Sequence, residues 1–406
     1  MLYELNKLSK SELLLNDYLL EDNQNPEANI LLANINYWKG HFKTAREKVA
    51  VVLNAYPNNE KALAILKDIN IYSAPYLKLD ADFASDNQPL EKIGYNLETG
   101  WNNSWLFSPV FQASSYSFNS NEIIYNSFWM QLSNKILFGH SGFALNLKAG
   151  IFKHPGVIDP IFTGTAAVSQ KLSKSLTLSA CTEKIPYQYT IKSIEMPVMQ
   201  QLSNLALNLN KNNKWLGKAA YELQQFDDAN KLQTAYIWAL IPLLHRQSFK
   251  FKAGYAFSYA NADNNAFTLS KPLSTIIAAY KSGNTVPGVY IPYFTPNNQI
   301  INSVVTSFDI MFSKNLSFTL NANIGVLAYS NIPELVLTKN QGNNYSIIKS
   351  YNKQTFLPGG IQSEIKLKLS DRLTLSGIYE YSRLSFYTIN KGSMALKYAF
   401  INEKKK

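Results

Sequence analysis

The sequence predicts a mainly β chain, a transmembrane antiparallel β-barrel of about 16 strands, preceded by a short α-helical segment. Three observations predict it: strict alternation of apolar and polar residues, alternating segments of bilayer-crossing length, and charge on the polar faces. In residues 315–326, Leu316, Phe318, Leu320, Ala322, Ile324 and Val326 fall on one side, and Asn315, Ser317, Thr319, Asn321, Asn323 and Gly325 on the other. Successive side chains of a strand point to opposite faces, so one face suits lipid and the other water. Phe249, Phe251, Ala253, Tyr255, Phe257 and Tyr259 oppose Lys250, Lys252, Gly254, Ala256 and Ser258 in the same way. Leu373, Leu375, Tyr379 and Tyr381 likewise oppose Thr374, Ser376, Glu380 and Ser382. Each segment runs about 10 residues, the length a tilted strand needs to cross a bilayer.

A soluble sandwich also alternates. Against it stand the Tyr, Phe and Trp near strand ends, where an aromatic girdle lies, and the Lys, Asp and Glu mixed with Ser and Thr on the polar faces. A closed barrel is also the only sheet that leaves no unpaired edge in lipid.

The 406 residues are 46% hydrophobic, enough for a large core. Mean hydropathy is only −0.16, and no apolar run is long enough for a spanning helix. The membrane assignment therefore rests on alternation. The net charge of +11 is compatible with nucleic acid, lipopolysaccharide or an acidic polymer. A Lys-, Asn- and Ile-rich composition accounts for it without any of these, and no nucleic-acid partner is inferred. The single cysteine, Cys181, excludes an internal disulfide and reads as a small filler on a polar strand face. No charged start followed by an apolar stretch and a cleavage site opens the chain. It therefore reads as a mature product, a fragment or an incomplete reading frame.

Residues 1–71 read as helices. Asn25, Pro26, Glu27 and Ala28 open a unit that continues through Leu32, Ala33, Tyr37, Gly40, Phe42, Ala45, Val49 and Leu53 to Pro57. Small and large apolar residues sit where a tetratricopeptide repeat of about 34 residues packs its two helices, with Gly40 at the turn. Residues 2–20 read as the second helix of a preceding repeat and 60–69 as the first of a following one. About three repeats are needed for stability, so further repeats are expected upstream. Such a segment either presents a groove to a partner or serves as a spacer.

Residues 72–406 read as the barrel. Strands are expected near 76–83, 93–101, 105–118, 122–132, 136–150, 161–172, 175–184, 201–209, 215–225, 231–243, 248–259, 299–312, 315–329, 361–369, 372–381 and 386–400. The short connections at 313–314 and 370–371 belong to the periplasmic side, and the long ones at 261–298 and 331–360 face outward. Short and long connections do not alternate cleanly in this reading, so one or two strands are expected to shift. Met394, Leu396, Tyr398 and Phe400 form an aromatic-rich closing strand of the kind outer-membrane assembly recognises, although residues 401–406 follow it.

Chemistry-bearing constellations are sparse. His41, His140, His154 and His245 are scattered, no Cys/His cluster suggests a metal, and no cofactor motif is present. His140 and Ser141 are neighbours, but adjacent strand residues point to opposite faces and cannot act as a base and nucleophile pair. What remains is an aqueous channel, since a barrel of this size is not filled by side chains. By parity its lumen receives Lys78, Asp80, Asp82, Lys218, Glu222, Lys250, Lys252, Glu364, Lys366, Lys368 and Glu380. The mixed signs suit a neutral or zwitterionic polymer, or simply a mutually paired solvated lining.

Two stretches carry a family resemblance. Residues 288–298, with Pro292, Tyr293, Phe294 and Pro296, resemble the Gly-Tyr-Tyr-Ser-Pro-Gln segment of bacterial exopolysaccharide exporters that enters a barrel strand. Residues 195–201, with Pro197, resemble the Arg-Pro-Val-Thr-Asp-Ser segment of the same family, with Met196 in place of its Arg. Together with the architecture they resemble the cellulose synthase outer-membrane subunit, whose repeat array would here be reduced to about two units. The resemblance implies passive export of a glucan or related exopolysaccharide, driven by an inner-membrane synthase. It also implies an outer-membrane lipid setting and a periplasmic repeat segment that engages synthase or periplasmic components. Tyr293 and Phe294 either anchor a loop or stack on sugar rings, as would Trp101, Trp105, Tyr187 and Tyr189. A general porin or uptake channel is the alternative, and an outer-membrane enzyme a more distant one.

Overall fold

The computed structural model describes residues 8–120, 122–138, 142–211, 214–340, 344–385 and 387–401. Four helices come first: α1 (Leu8–Glu21), α2 (Pro26–Trp38), α3 (Phe42–Ala55) and α4 (Glu60–Tyr72). The Asn25 side chain accepts from the Ala28 N–H and the Asn59 side chain from the Ala62 N–H, both at 3.0 Å. Each cap satisfies an amide that the first helical turn leaves open, worth about 1 kcal/mol. Gly40, at φ +78°, turns α2 into α3. Ala33, Phe42, Ala45, Val49, Val52, Ala62, Ile65 and Ile69 close the core between α2, α3 and α4.

Among the described residues that follow, strands predominate and the helices are short. The strands are β1 (Tyr76–Asp86), β2 (Leu90–Gly100), β3 (Pro109–Ser120), β4 (Ile123–Phe138), β5 (Phe143–Lys153), β6 (Ile161–Lys171) and β7 (Leu176–Pro186). After the short helix α5 (Ile191–Glu195) come β8 (Met199–Lys211), β9 (Trp215–Phe226), β10 (Lys231–His245) and β11 (Phe249–Ala262). A long connection holds β12 (Phe267–Leu269), α6 (Leu273–Ala279), β13 (Thr285–Val286) and β14 (Gly288–Tyr290). The chain ends with β15 (Gln299–Met311), β16 (Leu316–Lys339), β17 (Tyr345–Phe356), β18 (Gly359–Lys368), β19 (Leu373–Arg383) and β20 (Thr388–Ala399).

Sixteen of these close an antiparallel barrel. Strands β1 to β11 pair in succession, β11 pairs with β15, β15 with β16, β16 with β18, and β18 to β20 follow in order. Closure is the β1 to β20 ladder, from Tyr76 opposite Ala399 to Asp86 opposite Ile389. All sixteen expected strands are present, and the two sets of connections sort cleanly. Turns such as 172–175, 246–248, 312–315 and 369–372 share an end with the helices, while the connections 187–198 and 263–298 and the β16–β17 hairpin lie at the other.

Beyond shifts of up to three residues at strand ends, three differences from the sequence expectation stand out. Ile136, Leu137 and Phe138 finish β4 rather than opening β5, because the alternation runs on to Phe138. Trp105 lies in the connection before β3, where its N–H donates to Gly40 O at 3.0 Å. Most importantly, 331–356 is not a loop: β16 continues to Lys339 and folds back as β17, with Ala328 opposite Phe356 and Lys339 opposite Tyr345. Pro333 interrupts the alternation there, yet a strand that has left the barrel tolerates it, since β13 pairs with its outer edge at Leu335 and Val336 and not at Pro333. Residues 140, 141, 386 and 402–406, which include His140, Ser141 and the expected start of the last strand, lie outside the described residues.

The outer surface is apolar: Leu79, Phe83, Tyr95, Ile237, Tyr255, Ile324, Ile365 and Met394 all stand exposed. That is what lipid contact requires and what a soluble surface avoids. The helices dock on the short-turn rim. Trp101 Nε1 donates to Ser73 O at 3.1 Å, Asn102 to Tyr72 O at 3.0 Å, and Lys67 pairs with Asp371 at 2.6 Å. A Cβ on Gly40 would meet the Trp105 backbone at 3.0 Å, so that glycine serves the docking as well as the turn.

Candidate functional site

Opposite residues of paired antiparallel strands lie on the same face, and the register carries one face unbroken around the wall. Lys78 lies opposite Glu98 and Lys397, Glu98 opposite Gln112, Gln112 opposite Gln131, and Gln131 opposite Gly150. Lys148 follows opposite Thr165, Thr165 opposite Glu183, Asn204 opposite Cys181 and Glu222, and Lys218 opposite Trp238. Lys250 lies opposite Asp309, Asp309 opposite Thr319, Thr319 opposite Glu364, and Gln362 opposite Glu380. The complementary face carries the exposed apolar residues, so this face lines the interior. All eleven residues assigned to the lumen by parity lie on it.

Their contacts divide them. Asp82 pairs with Lys92 at 3.4 Å and accepts from Asn96 at 2.8 Å, and Lys92 stands 4.0 Å over the Tyr116 ring. Asp80 pairs with Lys78 at 3.3 Å, Glu380 with Lys391 at 3.4 Å and Lys252 with Asp309 at 2.9 Å. Lys368 instead bonds Asp371 at the helix-side rim. Lys218 stands 5.1 Å over the Tyr236 ring. Lys92, Glu98, Lys148, Glu183, Asp309, Lys391, Lys397, Tyr116, Trp129 and Tyr236 share the wall but were not singled out by sequence. Their strands were assigned, so parity applied to every position would have found them.

The far mouth is covered by the connection from β7 to β8. Tyr187 N–H donates to Val198 O at 2.8 Å, closing its base. The Thr190 side chain accepts from the Ser193 N–H at 3.2 Å and the Ser193 side chain bonds back, a capping box that starts α5. Ile194 is buried against Leu90 and Phe118, with Tyr116 and Tyr125 alongside. The Gly156 N–H donates to His154 Nδ1 at 3.1 Å, which leaves Nε2–H facing Ser193 O at 3.4 Å. The connection thus reaches from β7 to the wall of β2 to β4. Beneath it is a cavity of about 400 Å³ lined by Asp82, Asp86, Lys92, Tyr116, Trp129, Gln188, Tyr189, Glu380 and Lys391.

The two stretches with a family resemblance meet at this mouth. Tyr293 is buried on Phe226, ring centroids 3.5 Å apart and planes nearly parallel, beside Val198, Leu232 and Tyr187. Its hydroxyl donates to Asp228, the Thr190 hydroxyl donates to Pro292 O, and the Phe294 N–H reaches the Tyr187 hydroxyl at 3.4 Å. Phe294 packs edge-on against Tyr290 at 4.8 Å, and Pro296 O accepts from the Ala262 N–H at 2.9 Å. Tyr293 therefore anchors a loop rather than presenting a stacking face. Of the other aromatic candidates, Tyr189 lines the cavity and Tyr187 abuts its base, whereas Trp101 and Trp105 belong to the helix-side rim. Burial pushes the hydroxyls of Tyr187 and Tyr293 above the ordinary tyrosine range, and that of Tyr387 up to about 12.

Outside the barrel, Ile276 of α6 is buried with Val286, Leu335 and Leu337, so the long connection braces the β16–β17 hairpin. Asn297 ties it further, accepting from the Asn331 N–H at 2.9 Å and the Ser330 hydroxyl at 3.1 Å.

No family model and no curated protein matches the chain. Among solved structures it is similar to a bacterial polysaccharide outer membrane secretin, at 6% identity and TM-score 0.56, covering 81% of this chain and 99% of that one. Pseudomonas aeruginosa OccK3 (OpdO) is a looser match, at 11% identity and TM-score 0.37, covering 80% and 95%. The CymD monoaromatic hydrocarbon channel stands at 8% and 0.35, covering 84% and 91%. At 6% identity the first likeness is one of fold. The chain is a closed antiparallel barrel that shares its fold with that outer-membrane protein.

Proposed function

We propose that the chain is an outer-membrane channel that exports an exopolysaccharide, with its helical segment on the periplasmic side acting as a tetratricopeptide-type dock for partners. The observation that carries this reading is the polar inner wall of a closed sixteen-strand barrel, leading to an aromatic-lined cavity under a loop that spans the mouth. Such a barrel leaves an aqueous lumen. Tyr116, Trp129 and Tyr189 offer rings of the kind that pack on sugar C–H faces, and the paired carboxylates and lysines offer hydrogen bonds. The first solved likeness is itself described as a polysaccharide secretin, which agrees with this reading. A conduit rather than an enzyme fits the inward carboxylates, since Asp82 and Glu380 are each engaged by a lysine.

The test is single-channel current of the reconstituted protein in a planar bilayer. Concentration-dependent block by sugar oligomers, weakened by Trp129→Ala, is the expected result. Stable current that sugars of every charge leave undisturbed would sink the export reading and leave a general porin.

A further inference from the structure

The charges of the inner wall are not spread evenly along its axis. Position along each strand relative to its turns places Lys78, Lys218, Lys250, Lys252, Lys366 and Lys397 in the helix-side half, against Asp80, Glu98, Asp309 and Glu364. The far half holds Asp82, Asp86, Glu183, Glu222 and Glu380 against Lys92 and Lys391. Glu380 has Lys391, and Asp86 accepts the Gln88 and Leu90 N–H groups at 2.8 and 3.1 Å. Asp82 is answered by Lys92, which leaves Glu183 and Glu222 without an ion pair among the described residues.

The helix-side lysines are not answered to the same degree. Lys218, Lys250 and Lys366 make no ion pair among the described residues. Lys397 lies opposite Lys78 and stands 3.9 Å over the Tyr76 ring, with no ion pair among the described residues. Like charges gathered on a wall facing water, with too few acids to neutralise them, raise the local concentration of anions.

We propose that the helix-side half of the lumen is a binding zone for acidic glycan segments, sugars bearing carboxylate or an equivalent anion, held by Lys218, Lys250 and Lys366. This rests on the export reading and names its substrate class. A polyanion would be gathered where it enters and held less firmly in the far half, where the wall charge changes sign. The same separation of charge makes ionic current rectify.

The experiment uses the full chain in a planar bilayer, with oligogalacturonate, cello-oligosaccharide and chito-oligosaccharide of equal length added to each side in turn. Oligogalacturonate added on the helix side should block at a concentration about tenfold below the neutral oligomer, since a few lumenal charges supply of order 1 kcal/mol. The K218Q/K250Q/K366Q variant should lose that preference and the rectification while keeping its block by cello-oligosaccharide. Raising salt from about 0.1 M to about 1 M, which shortens screening from about 10 Å to about 3 Å, should do the same. Heat-modifiable gel mobility shows whether the variant has folded. Should it not fold, the salt series on the unaltered protein decides the matter. Equal block by acidic and neutral sugars, preference for the cationic oligomer, or a preference indifferent to salt overturns this inference. Indifference to every sugar class overturns the export reading instead.

Discussion

At the residue scale, the mouth depends on a few buried side chains whose chemistry is legible only in context. His154 is a scattered histidine in the sequence, yet it is buried beside Phe152 and linked to Ser193. Burial holds its pKa below the ordinary value of about 6.5, so the neutral form is the folded one. A depressed value contributes stability above about pH 6.5 and loses it as pH falls through the folded value. The 187–198 connection should therefore loosen between pH 7 and 5. The readout is amide exchange at Ser193 and Ile194 corrected for intrinsic rate, and the response should vanish in His154→Gln. An unchanged profile would remove His154 as its support. Tyr293 teaches a related lesson. Its place in a Pro-flanked stretch allowed either loop anchoring or sugar stacking, and the choice fell to Phe226, which covers its ring.

At the element scale, the lumen residues were readable because strand periodicity is exactly two, so parity needs only the right strand. All eleven candidates share the inward face for that reason. What parity could not supply is pairing, since Asp82 and Lys92, or Lys252 and Asp309, come from different strands. Close strand packing also leaves its mark. A Cβ on Gly254 would lie 1.8 Å from Ala239 O, a backbone atom that cannot move aside alone. Gly254→Ala is expected to disturb the β10–β11 ladder and lower folded yield, whereas Gly392→Ala, with nothing within 4 Å of its Cβ, should be silent. Folded fraction by heat-modifiable mobility compares them. At the opposite rim, hydrogen bonds from Lys368 and Lys67 hold the Asp371 carboxyl at about 2. Its contribution is present above the ordinary value of about 3.9 and lost as pH falls through about 2. Asp371→Asn should free the end of α4 at neutral pH, seen as faster proteolysis there, with the barrel intact. High salt should reproduce this, because the pair is exposed.

At the scale of the whole molecule, the barrel is a rigid frame and the mouth is set by connections folded over it. Replacing 188–197 with a short Gly-Ser link should raise single-channel conductance severalfold, since that segment covers the cavity between β1, β4 and β19. Unchanged conductance would place the constriction elsewhere. The sequence by itself determined the helical start, the strand number, the polarity of the two faces and which positions of a strand share a face. Those are properties of local periodicity, which every strand states for itself. It read the β16–β17 extension as a loop, because Pro333 and the polar residues before it break the pattern in a strand that has left the bilayer and need not alternate. Only the tertiary structure decided which inward charges pair, that the 187–198 and 288–298 segments meet at one mouth, and that the unpaired lysines gather toward the helix side. Those facts depend on the register and closure of distant strands, and a one-dimensional pattern carries no information about them.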